Sequence, residues 1–354
     1  MNIRNLLLLA SWVITVSCQP NTENHSQSRI VFDTLEGRPL QIYLPAGYNP
    51  NQVYPVVYMH DGQNIFLDST SFAGEWGADE VMDSLINIGA MPPTLIVGIY
   101  NSPRRAEEYV PYNDESILEM MNMDHWDGST HMLFADFMIY DLFPFIEKKY
   151  QASNQSSDRA LIGSSFGAVQ AFWMGLNYSE FFNMIGALSP SVWVDQGAMI
   201  REVHSYEKLP NINMWLDIGS EEYDPRSSLL VQNLHQKGLT YGKQLWYYEE
   251  LGAHHHESSW RKRLASPLLL FKGLKEYQQE SVKAEHFISK NNDTTYHKTN
   301  LTLSLSNGVK YTAMHLAEYT SSDVALDSVG HILSQPAGEV LIKFEESNYE
   351  VILP

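Results

Sequence analysis

Arg159-Ala160-Leu161-Ile162-Gly163-Ser164-Ser165-Phe166-Gly167 opens as a short apolar run and closes on two glycines that bracket two serines and a phenylalanine. The run Arg159 to Gly163 reads as a buried strand, and Ala168 to Leu176 after it can form a helix. A strand, a tight turn and a helix with Ser165 at the apex form a nucleophile elbow, which holds a hydroxyl clear of its own backbone. Gly163 and Gly167 leave room where side chains would collide in that turn. A Gly/Ser turn without chemistry could share the five-residue pattern, but the strand before it and the helix after it are what the elbow requires. Ser164 reads as a turn residue.

Outward from this turn the same alternation continues. Strands are expected at Leu40 to Leu44, Tyr54 to Met59, Thr94 to Tyr100, Met184 to Leu188, Asn213 to Ile218 and Gln244 to Glu249. Several of them, such as Pro55-Val56-Val57-Tyr58-Met59, are continuously apolar, as strands covered on both faces must be. Helices are expected at Trp76 to Ile88, Phe134 to Tyr150, Pro225 to Lys237 and Ser258 to Tyr277, where apolar residues recur at three- and four-residue spacing. The stripe Phe134, Phe137, Met138, Leu142 and Phe145 reads as a core face. The expected class is α/β, with a mostly parallel central sheet flanked by helices.

After about Glu280 the helical period fades and short β-like runs appear at Leu301 to Leu305, Lys310 to Met314, Val340 to Phe344 and Glu350 to Leu353. Residues 284–354 therefore read as a small β-rich C-terminal module, packed on the main domain or joined to it through Ser289 to Thr295. The main domain spans residues 29–280. A chain of 354 residues, 44% hydrophobic and 18% charged, has enough apolar material for one large core and a second small one. Its formal net charge of -19 disfavours nucleic acid and anionic lipid surfaces, which are bound through clustered Lys and Arg.

The N-terminus carries Arg4, then the apolar run Leu6 to Val16, then Ser17-Cys18, and it continues into a polar stretch. This is the layout of an export signal, and the apolar run is too short to span a bilayer. Thr15-Val16-Ser17-Cys18 resembles the lipobox of a bacterial lipoprotein, with Thr15 in place of the usual Leu. The resemblance implies a signal over residues 1–18, lipidation at Cys18, a tether over residues 19–28, and an enzyme anchored in the cell envelope. Cys18 is the only cysteine, so no internal disulfide can form.

Attack on an ester carbonyl needs a nucleophile, a base to take its proton, an acid to orient the base, and donors for the oxyanion. In a chain with such an elbow the order is Ser, then Asp or Glu, then His. The histidines between Ser165 and the β-rich module are His204, His235 and the run His254-His255-His256, which follows a strand and precedes a helix. Neighbouring side chains on a loop rarely converge on a metal, and no Cys or carboxylate pattern with metal spacing accompanies them. The acid is sought after Met214-Trp215-Leu216-Asp217-Ile218. Asp217 lies inside that strand and suits a structural hydrogen bond, while Glu221, Glu222 and Asp224 at its end remain open.

The chain resembles the esterases of the α/β-hydrolase fold that include esterase D, feruloyl and acetylxylan esterases and enterochelin esterases. The resemblance covers about Gly37 to Gly273. It rests on Met59-His60-Asp61-Gly62-Gln63-Asn64, Glu75-Trp76-Gly77-Ala78-Asp79-Glu80, Arg104-Arg105 with Glu108-Tyr109-Val110-Pro111, the elbow, and Gly252-Ala253-His254-His255-His256-Glu257-Ser258-Ser259-Trp260. It implies Ser165 as nucleophile and His255, five residues before Trp260, as base. It implies Glu222 as acid, in Gly219-Ser220-Glu221-Glu222, with Asp224 as the alternative. The oxyanion donors it implies are the backbone N–H groups of Phe166 and of the Gly62-Gln63 turn. Phe166 stands where Met is common and Ala168 where Gly is common, which leaves the backbone donors in place and alters the acyl pocket.

The implied reaction is hydrolysis through an acyl-enzyme, with no cofactor and no metal. The expected substrates are feruloyl or acetyl esters of polysaccharides or oligosaccharides, with a siderophore trilactone or acyl transfer to a sugar as alternatives. The non-enzymatic alternative is a binding module on an inactive hydrolase scaffold.

Overall fold

The computed structural model describes residues 26–126, 128–291, 294–334 and 337–353. The expected signal, Cys18 and the tether as far as residue 25 lie outside the described residues.

Eight strands form the central sheet: β1 (Arg29–Leu35), β2 (Arg38–Leu44), β3 (Val56–His60), β4 (Leu95–Ile99), β5 (Arg159–Ser164), β6 (Met184–Leu188), β7 (Asn213–Gly219) and β8 (Leu245–Glu250). Their order is β1-β2-β4-β3-β5-β6-β7-β8. The first two junctions, β1 with β2 and β2 with β4, are antiparallel, and every other pair is parallel. The mostly parallel sheet expected from the apolar runs is therefore present. Every residue of β3, β4, β5 and β6 is buried, since helices cover both faces. Each such Val, Leu or Ile contributes about 1.5–3 kcal/mol through its burial.

Strand β1 was not expected. Its residues are half-buried or exposed, as befits an edge, so the apolar signal is weak. Its pairing is set by the turn at Glu36 and Gly37, both at positive φ (51° and 80°), the backbone of a tight two-residue hairpin.

The helices are α1 (Ala78–Asn87), α2 (Arg105–Tyr109), α3 (Glu115–Met120), α4 (Thr130–Asp136), α5 (Phe143–Tyr150), α6 (Phe166–Asn177), α7 (Ala198–Ser205), α8 (Pro225–Gln236), α9 (Glu257–Arg263) and α10 (Ala265–Lys272). The single helix expected over Phe134 to Tyr150 is interrupted by a wider π turn at Phe137–Leu142. Pro144, in the first turn of α5, has no N–H to close an ordinary α turn there.

Because β3 and β5 to β8 run parallel, their C-terminal ends share one edge of the sheet, where open α/β sheets carry their sites. The elbow, the acid-bearing turn and the histidine run all leave the sheet at that edge.

The C-terminal region consists of two antiparallel three-stranded sheets. One joins β9 (Gln279–Asn291), β10 (Thr294–Leu305) and β11 (Lys310–Thr312), and the other β12 (Glu318–Thr320), β13 (Gly338–Phe344) and β14 (Ser347–Leu353). The polar segment read as a possible joint is not one. Ser289 is a buried residue of β9 and Thr294 opens β10, in continuous register with it. This region packs on the β8 side of the central sheet, where the Glu249 N–H donates to Thr312 Oγ1 (3.2 Å).

Candidate active site

The elbow has the geometry its glycines require. Ser165 sits at φ 55° and ψ -122°, a sparsely populated backbone region held because β5 and α6 fix both ends of the turn. A Cβ on Gly163 would overlap the Gly167 carbonyl, so the turn can close only around glycine. The Ser165 hydroxyl projects toward Ser191, Oγ to Oγ 3.4 Å, and is only partly covered. Phe166 is the first residue of α6, so its N–H has no intrahelical acceptor.

The acid-bearing turn and the histidine run are pressed together at the neighbouring strand ends. A Cβ on Gly219 would overlap the Ala253 carbonyl, which shows how closely the two backbones approach. The Glu221 N–H donates to Ala253 O (3.0 Å) and the Gly252 N–H to Ser220 Oγ (2.8 Å). Across this seam His255 Nδ1 meets Glu222 Oε2 in a short hydrogen bond. The other two histidines of the run do other things. His256 caps α9, its Nδ1 accepting from the Ser258 N–H (3.2 Å), and His254 is exposed. Asp224 caps α8 and pairs with Arg226 Nη1 (2.6 Å), so its carboxylate is already committed.

Glu222 is held on its far oxygen as well. Oε1 accepts from the Gly219 N–H (2.9 Å) and from Ser189 Oγ (2.6 Å). Ser189 Oγ in turn accepts from Trp260 Nε1 (2.9 Å) and Arg263 Nη2 (2.8 Å), so its proton is directed onto Glu222. Burial alone would raise the Glu222 pKa. The hydrogen bond and charge of His255, with Ser189 and Arg263, outweigh burial and hold the carboxyl below the usual range. Asp217 is fully buried and accepts from Trp215 Nε1 (2.7 Å) and the Ser189 N–H (3.1 Å) beside Arg263 Nε (3.1 Å). This is the structural part expected of it, and it fixes Arg263 beneath Glu222. Trp260 also stands edge-on to the His255 ring, 5.1 Å between centroids at 85°.

Sequence reasoning did not find Ser189 or Arg263. The available signals were a serine at the end of β6 and a basic residue on the buried side of α9.

Ser165, Phe166, Glu222 and His255 all line one cavity of about 510 Å³. Its apolar wall includes Phe166, Trp193 and Met121, with the Phe166 and Trp193 rings 6.0 Å apart. Its lining also carries Glu221, Glu222, Asp224 and Arg105, the last lying over the Phe166 ring at 5.5 Å. Gly62 and Gln63 are buried and do not line it. They belong to the turn after β3, which abuts the elbow: a Cβ on Gly167 would come 3.5 Å from Asp61 Oδ2. Asp61 fixes that turn through both oxygens to Arg105 (2.7 and 2.8 Å) and through Asn101 (2.6 Å). Glu257 accepts from Asn64 Nδ2 (3.1 Å), tying the turn to α9 and hence to the histidine run.

This chain matches the model of the family described as "Putative esterase" over residues 35–271. It is 25% identical to the protein YbbA of Bacillus subtilis over 231 residues, 62% of this chain and 87% of that one. Among solved structures it resembles the enterobactin esterase of Shigella flexneri with a TM-score of 0.54 at 18% identity, over 69% of this chain and 58% of that one. It resembles a ferulic acid esterase with a TM-score of 0.51 at 20% identity, over 70% and 98%. At these identities the two structures speak for the fold, and the central domain is of the α/β-hydrolase type.

Proposed function

This chain belongs to the esterase family whose model spans residues 35–271, and from that premise we propose that it is a serine carboxylic-ester hydrolase working through an acyl-enzyme. The observation that carries the reading is the single cavity shared by the elbow serine and the Glu222–His255 pair. In this reading His255, oriented at Nδ1 by ionised Glu222, takes the Ser165 proton at Nε2 as Oγ attacks the ester carbon. The alcohol then leaves with that proton, and water repeats the sequence to release the acid. The Phe166 N–H, free at the start of α6, would stabilise the oxyanion.

The cavity also bears on the substrate. An apolar wall of Phe166, Trp193 and Met121 beside Ser165 suits an acyl group with aromatic or aliphatic surface, and feruloyl fills it better than acetyl. Arg105, the cation among the lining residues, is spent on both oxygens of Asp61, which in this reading favours a neutral, hydroxyl-rich alcohol such as a sugar over an anionic one. On this reading a feruloylated saccharide is a better substrate than an anionic siderophore.

Ser165→Ala should lower kcat on a p-nitrophenyl ester by about 10⁶-fold with an unchanged circular dichroism spectrum. Retained turnover would sink the mechanism. A panel of feruloylated, acetylated and siderophore esters, ranked by kcat/KM, tests the substrate class separately, and the feruloyl ester should lead.

A further inference from the structure

The turn that carries Glu222 has two sides, and only one faces the cleft. Ser220–Glu222 is a single 3-10 turn between the end of β7 and Pro225 of α8, too short to stabilise itself. On the cleft side it is held through Gly219, Glu221 and Glu222, as described above. On the other side the next residue, Tyr223, is buried in the C-terminal region.

The Tyr223 N–H donates to Lys290 O at the end of β9 (2.7 Å), and Lys290 Nζ pairs with Glu221 (3.4 Å). The Tyr223 ring lies under Lys298 Nζ of β10 at 3.9 Å and meets the ring of Tyr296 edge-on at 5.4 Å. Its hydroxyl shares hydrogen bonds with His331 Nε2 (2.6 Å) and Ser228 Oγ (2.8 Å). His331 is set in turn by Asp327 (2.5 Å). Lys298 is itself anchored, fully buried, on Glu249 of β8, whose carboxylate also accepts from Tyr247 Oη (2.8 Å). Thus β9, β10 and the segment bearing His331 grip the residue next to Glu222 by its backbone, its ring and its hydroxyl.

We propose that the C-terminal region, Gln279 to Leu353, is a positioning element for the reaction, and that Tyr223 is the residue through which it sets Glu222 against His255. None of its residues lines the cavity, and it touches the lining through Lys290 on Glu221 and, by way of Tyr223, through Glu222. This rests on the reading of Glu222 as the acid of the triad. A displacement of the carboxylate by about 1 Å from His255 is enough to cost about 100-fold in rate, which is the scale on which a loosened turn would be felt.

A double-mutant cycle in the full chain tests this. Tyr223→Leu removes the ring and hydroxyl, Tyr223→Phe removes only the hydroxyl, and Glu222→Gln removes the acid. The readout is kcat per active site, titrated from the p-nitrophenol burst, together with KM. Tyr223→Leu should lower kcat by about 10- to 100-fold with KM nearly unchanged, and Tyr223→Phe by less. In the Glu222→Gln background Tyr223→Leu should change kcat little, because its route is already cut. Equal losses in both backgrounds would overturn the proposal, as would an unchanged kcat per titrated site in Tyr223→Leu. Should Tyr223→Leu fail to fold, Tyr223→Phe and His331→Leu run through the same cycle. An unchanged kcat in Glu222→Gln alone would instead remove the acid assignment, and this proposal with it.

Discussion

Two acid–base pairs lie on neighbouring strand ends and live under opposite conditions. Glu222 and His255, at the cleft, have side chains 10% and 44% exposed, whereas Glu249 and Lys298, under the C-terminal sheets, are both at 0%. The first pair sits where a proton can be passed to and from a hydroxyl and water. The second cannot exchange with solvent, so it serves as a fixed joint between β8 and β10. Tyr223, with Glu222 before it and Lys298 over its ring, stands between the two regimes. A short hydrogen bond between a carboxylate and a nitrogen therefore says little about function until its access to water is known.

The largest effect is expected at the cleft. Glu222→Gln keeps the shape and removes the charge that orients His255, so kcat should fall by about 10³- to 10⁴-fold on a p-nitrophenyl ester. Asp224→Asn should cost no more than a few-fold, since Asn caps a helix as well as Asp and the Asp224 carboxylate is spent on the Arg226 N–H and Nη1. Steady-state kinetics on the two variants side by side decides between them. A larger loss in Asp224→Asn would transfer the acid role and leave the Glu222–His255 contact as packing.

The buried pair should behave in the reverse way, strong in stability and weak in chemistry. Lys298→Met strands the Glu249 carboxylate without its cation and should lower the unfolding free energy by about 3–5 kcal/mol. Adding Glu249→Gln neutralises the stranded charge and should restore most of that loss. Urea denaturation of the single and double variants reads both numbers. Purely additive losses would mean that Glu249 and Lys298 do not act as a pair.

The same contrast explains what was legible in the sequence. Strands buried on both faces announce themselves as unbroken apolar runs, and Met184–Leu188 was read with the bounds it has. The elbow was legible because its chemistry is local: one strand, two glycines and one helix. Spacing left Glu222 level with Glu221 and Asp224, and His255 level with His254 and His256; the resemblance singled out Glu222 and His255, which are the two that meet across the seam at Gly219 and Ala253. Ser189 and Arg263 are 74 residues apart and join only in three dimensions. Lys298, in a polar stretch, carries no sign that it is buried. Strand β9, with Glu280, Lys283, Glu285 and Lys290 along it, has neither the alternation nor the apolar content that marks a strand in advance.

A buried histidine shows the same dependence on access to water at a smaller scale. His60 ends β3 beside Gly167 of the elbow, 2% exposed, with its ring against Tyr109 (4.7 Å) and Phe134 (5.6 Å). Neither ring nitrogen has a partner among the described residues. Burial pushes its pKa down to about 3, with Asp61 opposing and Arg105 and Arg38 adding to the shift. The folded protein therefore cannot protonate His60 at a pH where the unfolded chain, with an ordinary histidine, can. Stability from this source is fully present above pH 6.5 and is lost as the pH falls from there toward 3. Between about pH 7.5 and about pH 5.5 the loss from this one group is about 1.4 kcal/mol, whatever its folded value, so long as that value lies well below 5.5. His60→Phe places a ring without a proton site among the same aromatic neighbours. Its unfolding free energy in urea should fall by about 1.4 kcal/mol less than that of the wild type between the two pH values. Equal losses in the two proteins would mean that His60 takes up a proton in place, and that burial does not separate it from His255.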